Sequence, residues 1–462
     1  MSSYRRITLV LSILALSLLP SGKSVQADTS GQTSAPKTPI QHLVVLMQEN
    51  HTFDNYFGTY PGVDGIKPGT CMPVNPSDQN TKCVEPYYLG ERAIGDLDHS
   101  ESTFKLQYNT KSMDGFVYSL NQRNQDGTIT MGHYDDRDLP YYWNLADQYV
   151  LFDRLFSSDH SGSPQNHMYW VAAQAGAIHA PENGYGDDVV TIFDRLEASG
   201  VSWKFYVQNY DPGINYRTIS EVNGNRQSQV IWVPLLNINR FIDDPKYSSH
   251  IVDLNEYYTD LENGTLPAVA YIAPSGASEH PPGSLRSGQK FVKSLIQALM
   301  RSDAWNSSAF LLVYDDWGGW YDHVVPPQVD ENGFGFRVPG LLISAYARHG
   351  YVDNTELDFT SILKFIEQNW SLAPLTARDA HANSFVTAFD FSQPPRPPFF
   401  IPFARVLKEP SAEPRRAVIY VAYGGALVLA GLMFLWTAFG SKSRNKSKTP
   451  FDSLSQAEDL LP

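Results

Sequence analysis

The chain has 462 residues, 42% of them hydrophobic and 18% charged, with a formal net charge of −14 at pH 7. That composition excludes a disordered polyelectrolyte and a coiled coil. The acidic excess excludes nucleic acid as the main partner, because a phosphate-tracking surface needs basic residues, but it leaves room for a phosphorylated substrate met through a bound metal.

In chain order, the first feature is Ile7–Leu19, an apolar run that follows Arg5-Arg6 and precedes the small residues Val25 and Ala27. It reads as a secretory signal over residues 1–27, too short to span a bilayer. His42–Met47 is a short β-rich run that leads into Glu49 and Asn50. Cys71 and Cys83 are the only cysteines, and in an exported chain a disulfide between them is expected. In Ser157–Gln174 small polar residues and a proline precede an apolar helical pattern, which puts Ser163 at a helix entrance. There it is either an ordinary capping serine or a nucleophile facing free N–H groups.

Further on, Thr191–Ala198 and Ser287–Arg301 have helical patterns, the second with apolar residues at three- and four-residue spacing. Val201–Val207, Ala268–Ala273, Ala309–Tyr314 and Val338–Ala345 read as strands. Alternating apolar strands and amphipathic helices predict a mostly parallel sheet covered on both faces, in one large domain over residues 40–392. Polar residues follow the strands: Glu279-His280-Pro281 on the loop after Ala273, and Asp315-Asp316 after Tyr314. Ligands of open α/β sheets bind at such strand ends. Glu49, Asn50, Asp315 and Asp316 together form a hard oxygen set for Ca²⁺, Mg²⁺ or Mn²⁺, although acids after strands also serve as solvated loop residues or helix caps. A lone loop histidine such as His280 is by itself an ordinary surface residue.

Gln393–Arg416 carries seven prolines and is expected to be an extended stalk or a tail lying on the domain surface. Ala417–Gly440 has no charge and is long enough for a membrane-spanning helix. The basic tail 441–462 should then lie in the cytoplasm. Residues 28–416 carry 28 basic and 46 acidic side chains, a net −18 on the part expected outside.

Five segments in order, Glu49–Gly58, Ser163–Ala172, Pro274–Ser284, Val313–Pro327 and Gly335–Ser344, resemble the phosphoesterase family. That family comprises bacterial non-haemolytic phospholipases C, plant non-specific phospholipases C and related acid phosphatases. The resemblance covers roughly residues 40–392. It implies an alkaline-phosphatase-like three-layer α/β/α fold with a divalent metal at the strand ends, held by Glu49, Asn50, Asp315 and Asp316. Relatives usually have Asp-Glu where this chain has Asp315-Asp316. The resemblance assigns the nucleophile to Ser163 and phosphate-side roles to His280, His323 and His99. Plant members have Arg where this chain has His167, which receives no role. The function expected is that of an exported, membrane-anchored phosphoesterase of phospholipase C or acid phosphatase type, acting on a phosphate ester or phospholipid. The alternative is a catalytically silent surface-binding or envelope-anchoring protein on the same fold.

Overall fold

Seven consecutive residues of β1 (His42–Gln48) are leucine, valine, methionine and their polar flanks, and all but the first are buried. A strand covered on both faces reads as such an unbroken apolar run. The computed structural model describes residues 35–90, 92–175 and 184–406, with helical positions at 425, 427–433 and 435. Seven further strands complete the main sheet: β2 (Val150–Phe152), β3 (Trp203–Val207), β4 (Ile251–Asp253), β5 (Val269–Ala273), β6 (Ser308–Tyr314), β7 (Gly340–Ser344) and β8 (Tyr351–Asp353). Their order is β8-β2-β7-β6-β1-β5-β3-β4. Only β7 runs against its neighbours, while β1 lies parallel to both β6 and β5. The mostly parallel sheet expected from the strand pattern is present. The three short strands β2, β4 and β8 went unpredicted.

Alternation along β3 separates the layers. Phe205 packs its ring against Trp170 and Phe193, from helices Ser163–Ala172 and Ile192–Ala198. Tyr206 points the other way, its ring edge-to-face with Tyr257 and its hydroxyl donating to Asp260 Oδ2 at 2.6 Å, both on helix Asn255–Asn263. Tyr257 in turn donates to the Leu295 carbonyl of helix Leu285–Arg301 at 3.2 Å. The sheet therefore has helices on both faces, in three α/β/α layers.

Cys71 and Cys83 form the expected disulfide. It closes a small two-stranded ribbon beside a satellite apolar cluster that includes Met72, Phe104, Phe116, Trp317 and Phe336. The proline-rich run begins on the domain surface. Arg396 donates its backbone N–H to the Ala345 carbonyl, Ile401 is buried, and Arg405 pairs with Asp147. Residues up to Arg405 form one unit and those from Val406 another. The expected signal (1–27), the tail (441–462) and most of the expected span (417–440) lie outside the described residues. Among the described residues no helix is long and apolar enough to cross a membrane.

One buried cation ties together the loops that leave the strands. Arg337, fully buried, donates from Nε to Asp322 Oδ1 at 2.9 Å and from Nη2 to Asp54 Oδ1 at 3.0 Å. Its Nη1 reaches the carbonyls of Asp64 and Asp153, each at 2.9 Å. Removing one partner of such a set strands the other charges in a low-dielectric interior. Arg337→Met should therefore lower the unfolding free energy by about 3–5 kcal/mol in urea titrations. A loss below about 1 kcal/mol, the range of an exposed pair, would show that the network carries no such load.

Candidate active site

The parallel register of β1 and β6 places Gln48 beside Tyr314, so the next residues, Glu49 and Asp315, emerge side by side. The two exits are stitched together. Asp315 N–H donates to the Gln48 carbonyl at 3.0 Å, and Asn50 N–H donates to Asp315 Oδ1 at 3.0 Å. Asn50 takes a left-handed conformation, φ 63°, which asparagine tolerates better than most residues. Gly318 is also left-handed, and a Cβ there would fall 2.3 Å from the Asn50 carbonyl oxygen. The Asp-Asp-Trp-Gly-Gly turn thus needs its first glycine for close approach as well as for φ.

Ser163 comes from the other side of the cluster, on the first turn of the 163–172 helix behind Gly162. Asn166 fastens the preceding loop: its Oδ1 accepts from Asp159 N–H and its Nδ2 donates to the Ser161 carbonyl, both at 2.9 Å. The Ser163 hydroxyl then points between two carboxylates, 3.4 Å from Glu49 Oε2 and 3.3 Å from Asp316 Oδ2. One helical turn on, His167 Nε2 stands 2.9 Å from Glu49 Oε1 and 3.8 Å from Asp315 Oδ2.

Three carboxyl groups are thereby buried together with little to neutralise them. Burial, then the charges of Asp315 and Asp316, push Glu49 well above the usual carboxylate range. Burial and the Asp315 charge push Asp316 up to about 8. Burial lowers His167 to about 4, so its imidazole is neutral. Two acceptor atoms, Asn50 Oδ1 and Asp315 Oδ2, are buried without a hydrogen-bond partner. The Asn50 amide nitrogen is already engaged with His99 Nε2 at 3.0 Å, which leaves its oxygen free. Orphaned buried acceptors among clustered carboxylates are costly unless a cation meets them. Glu49, Asn50, Asp315 and Asp316 fit a divalent metal on that ground.

A cleft of about 990 Å³ opens at this cluster, with His99, Ser163 and His280 in its walls. The rings of His99 and His280 lie 6.2 Å apart. His99 Nδ1 bonds the Leu97 carbonyl at 2.7 Å, which turns Nε2 toward Asn50. Burial lowers its basicity, but the Asp316 and Asp96 carboxylates raise it overall.

A family model described as the phosphoesterase family matches residues 40–373. The chain belongs to that family. As a phosphoesterase it is a hydrolase of phosphate ester bonds. It is 30% identical to a protein named phospholipase C B from Mycobacterium tuberculosis, over 78% of this chain and 79% of that one. It is 27% identical to non-specific phospholipase C1 of Arabidopsis thaliana, over 85% of this chain and 79% of that one. Among solved structures, a protein of the alkaline phosphatase superfamily from Vibrio parahaemolyticus matches 73% of this chain and 67% of its own, at 10% identity and a TM-score of 0.32. That likeness is too low to argue from.

Seven of the eight residues singled out in the sequence lie together at this cluster and cleft, and His323 does not. Its Nδ1 is 2.6 Å from Asp54 Oδ2 and its Nε2 is 3.2 Å from Asp64 Oδ1, within the Arg337 network and outside the cleft walls. It follows Asp322, and Asp54 on helix Phe53–Phe57 captures it before it can face the cleft. His167 is the residue the sequence reading passed over, though its position four residues after Ser163 puts both on one helix face.

Behind His280, Glu279 is wholly buried and accepts hydrogen bonds from the hydroxyls of Tyr56, Tyr314 and Tyr142, the first two at 2.7 and 2.6 Å. Its backbone N–H donates to Gln48 Oε1 at 3.1 Å. Gly288 lets the 285–301 helix approach, since a Cβ there would stand 2.2 Å from Glu279 Cγ. Burial pushes Glu279 up to about 7 from 4.5, against the pull of the three tyrosines. The folded state therefore holds this proton more tightly than the unfolded chain. The resulting stability is full below 4.5 and is lost as pH rises to about 7. Glu279→Gln should flatten the fall in unfolding free energy between pH 4.5 and 7 by roughly 3 kcal/mol, read from urea titrations at both ends. Equal pH slopes in the two proteins would count against the shifted carboxyl.

Proposed function

We propose that this chain is a metal-dependent phosphoesterase of the phospholipase C type on an alkaline-phosphatase-like fold, with Ser163 as its nucleophile. It is exported and held at the cell membrane by residues 417–440, with the catalytic domain outside the cytoplasm. The observation that carries the reading is the Ser163 hydroxyl, poised on a helix entrance between the Glu49 and Asp316 carboxylates at a cleft of about 990 Å³. Support for the lipid class comes from the relatives, which are named as phospholipases C.

Glu49, Asn50, Asp315 and Asp316 would hold the divalent metal, which supplies charge neutralisation to a phosphoryl group and lowers the pKa of a nearby hydroxyl. Ser163 Oγ then forms a bond to phosphorus as the bond to the leaving alcohol oxygen breaks. The seryl proton leaves toward the carboxylates that the hydroxyl already faces. Donors of the 163–172 helix entrance favour the phosphoryl anion. His280 and His99, both in the cleft wall, are placed to donate to phosphoryl oxygens and to protonate the departing alkoxide. Water then cleaves the phosphoserine, returning the serine and releasing the phosphorylated headgroup. His323 has no step, because Asp54 and Asp64 hold it. The disulfide suits an oxidising compartment. The run 417–440 supplies an uncharged segment of spanning length.

Ser163→Ala should reduce turnover on the order of 10⁴–10⁶-fold while metal content by elemental analysis stays at the wild-type level. Residual activity near wild type would remove Ser163 from its role. Chelation should abolish turnover and a single divalent cation should restore it. With p-nitrophenyl phosphorylcholine beside p-nitrophenyl phosphate, the diester should be the one hydrolysed; cleavage of the monoester alone would assign acid phosphatase chemistry instead. For the anchor, the full chain should sediment with membranes and a chain ending at Arg405 should be released in active form. Equal release of both would overturn the anchoring.

A further inference from the structure

The metal proposed above leaves one buried ring unexplained. His167 is 1% exposed and directed into the carboxylate cluster rather than toward solvent or the cleft. Its Nε2 lies 2.9 Å from Glu49 Oε1 and 3.8 Å from Asp315 Oδ2. One ligand atom from each of Glu49, His167 and Asp315 falls within 4.8 Å of the others, all three buried. Donor atoms about 2.1 Å from a first-row metal lie about 3.0 Å apart when adjacent and about 4.2 Å apart when opposite. The 2.9 Å separation is close to the adjacent spacing, and the 3.8 Å separation falls between the two. Asp315 Oδ2, one of the three, has no hydrogen-bond partner.

Resting on the metal site of the preceding section, we infer that His167 Nε2 is a direct ligand of that metal. The centre is then a mixed nitrogen and oxygen site that selects a first-row transition ion over Mg²⁺ or Ca²⁺. Imidazole is a good ligand for Zn²⁺, Fe²⁺ and Co²⁺, and a poor match for the all-oxygen shells of Mg²⁺ and Ca²⁺. Placement favours the role. Ser163 and His167 are four residues apart on one helix, so a single rigid element carries both the hydroxyl and the nitrogen to the same ion. Burial of the ring against Trp170, whose centroid is 5.6 Å away edge-on, fixes its orientation without a charged neighbour on that side. The competing role is that of a positioning residue, in which Nε2–H only donates to Glu49.

The test uses the full chain, stripped with chelator and reloaded with Mn²⁺, Co²⁺, Zn²⁺ or Mg²⁺. Pulsed electron paramagnetic resonance of the Mn²⁺ form should show coupling to a bound imidazole nitrogen. The coupling should persist in His99→Gln and His280→Gln and vanish in His167→Gln. By calorimetry, His167→Gln should weaken Zn²⁺ and Co²⁺ by at least about a hundredfold and Mg²⁺ by less than about tenfold. Bound Mn²⁺ without nitrogen coupling in the wild type would overturn the proposal, as would coupling that survives in His167→Gln or disappears in either other variant. Should His167→Gln fail to fold, the wild type and the two other variants still decide. Glu49→Gln separates this proposal from the reading beneath it: Mn²⁺ held as tightly without that carboxylate would mean that the site itself is wrongly placed.

Discussion

Three acidic side chains, Glu49, Asp315 and Asp316, are completely buried at the ends of neighbouring parallel strands. Like charges so close in a medium of effective dielectric near 20 repel by about 4 kcal/mol per pair at 4 Å. Nothing in the hydrophobic core offsets that. The local structure is organised around this tension. Register brings the acids together, a left-handed Asn50 turns its amide toward them, and the 163–172 helix contributes a hydroxyl and a neutral imidazole rather than an ammonium or guanidinium. A cluster that the protein leaves unneutralised is arranged for a charge that arrives from outside.

Three other buried acids show that the chain can satisfy such groups when it needs no guest. Asp54 and Asp322 are met by Arg337, which also saturates two carbonyls. Glu279 is met by three tyrosine hydroxyls and no cation. The first arrangement locks the loops after β1 and β6 to each other. The second fixes the root of the loop that carries His280. Both adjoin the Glu49 cluster, so its rigidity is supplied by neighbours whose own charges are closed off. That division is what preorganised electrostatics requires: fixed dipoles around a centre, with the unpaired valence only at the centre.

The parts of this arrangement that were legible in the sequence are those with a local signal. β1, β5 and β6 are continuous apolar runs, and parallel pairing of such runs with acids at their ends foretells a convergent site. Ser163 was visible as a helix entrance. β2, β4 and β8 were not, because three residues carry no period to detect. His323 received its phosphate-side role from the family resemblance alone. Its capture by Asp54 depends on a contact across 269 residues, which no spacing reveals. The proline-rich run was left open between stalk and surface tail. The docking of Arg396, Ile401 and Arg405 is tertiary packing that composition cannot report.

On the proposed function, discrimination among phosphoesters would fall to the cleft walls rather than to the carboxylate cluster. Gln227, Ile231 and Trp232 also line the cleft, and all three belong to the stretch between β3 and β4. That stretch folds around its own small core of Ile214, Ile219 and Val230. Gln229 ties it internally, accepting from Asp211 N–H and donating to the Ile214 carbonyl at 2.9 and 2.8 Å. The same stretch also sends Trp232, Val233, Leu235 and Phe241 into the main core, so this wall is tied to the body of the domain. The carboxylate cluster is thus positioned by strand register, whereas this wall is positioned by side-chain packing. On the phospholipase reading proposed above, Ile231 and Trp232 would give the cleft an apolar side near the carboxylate cluster.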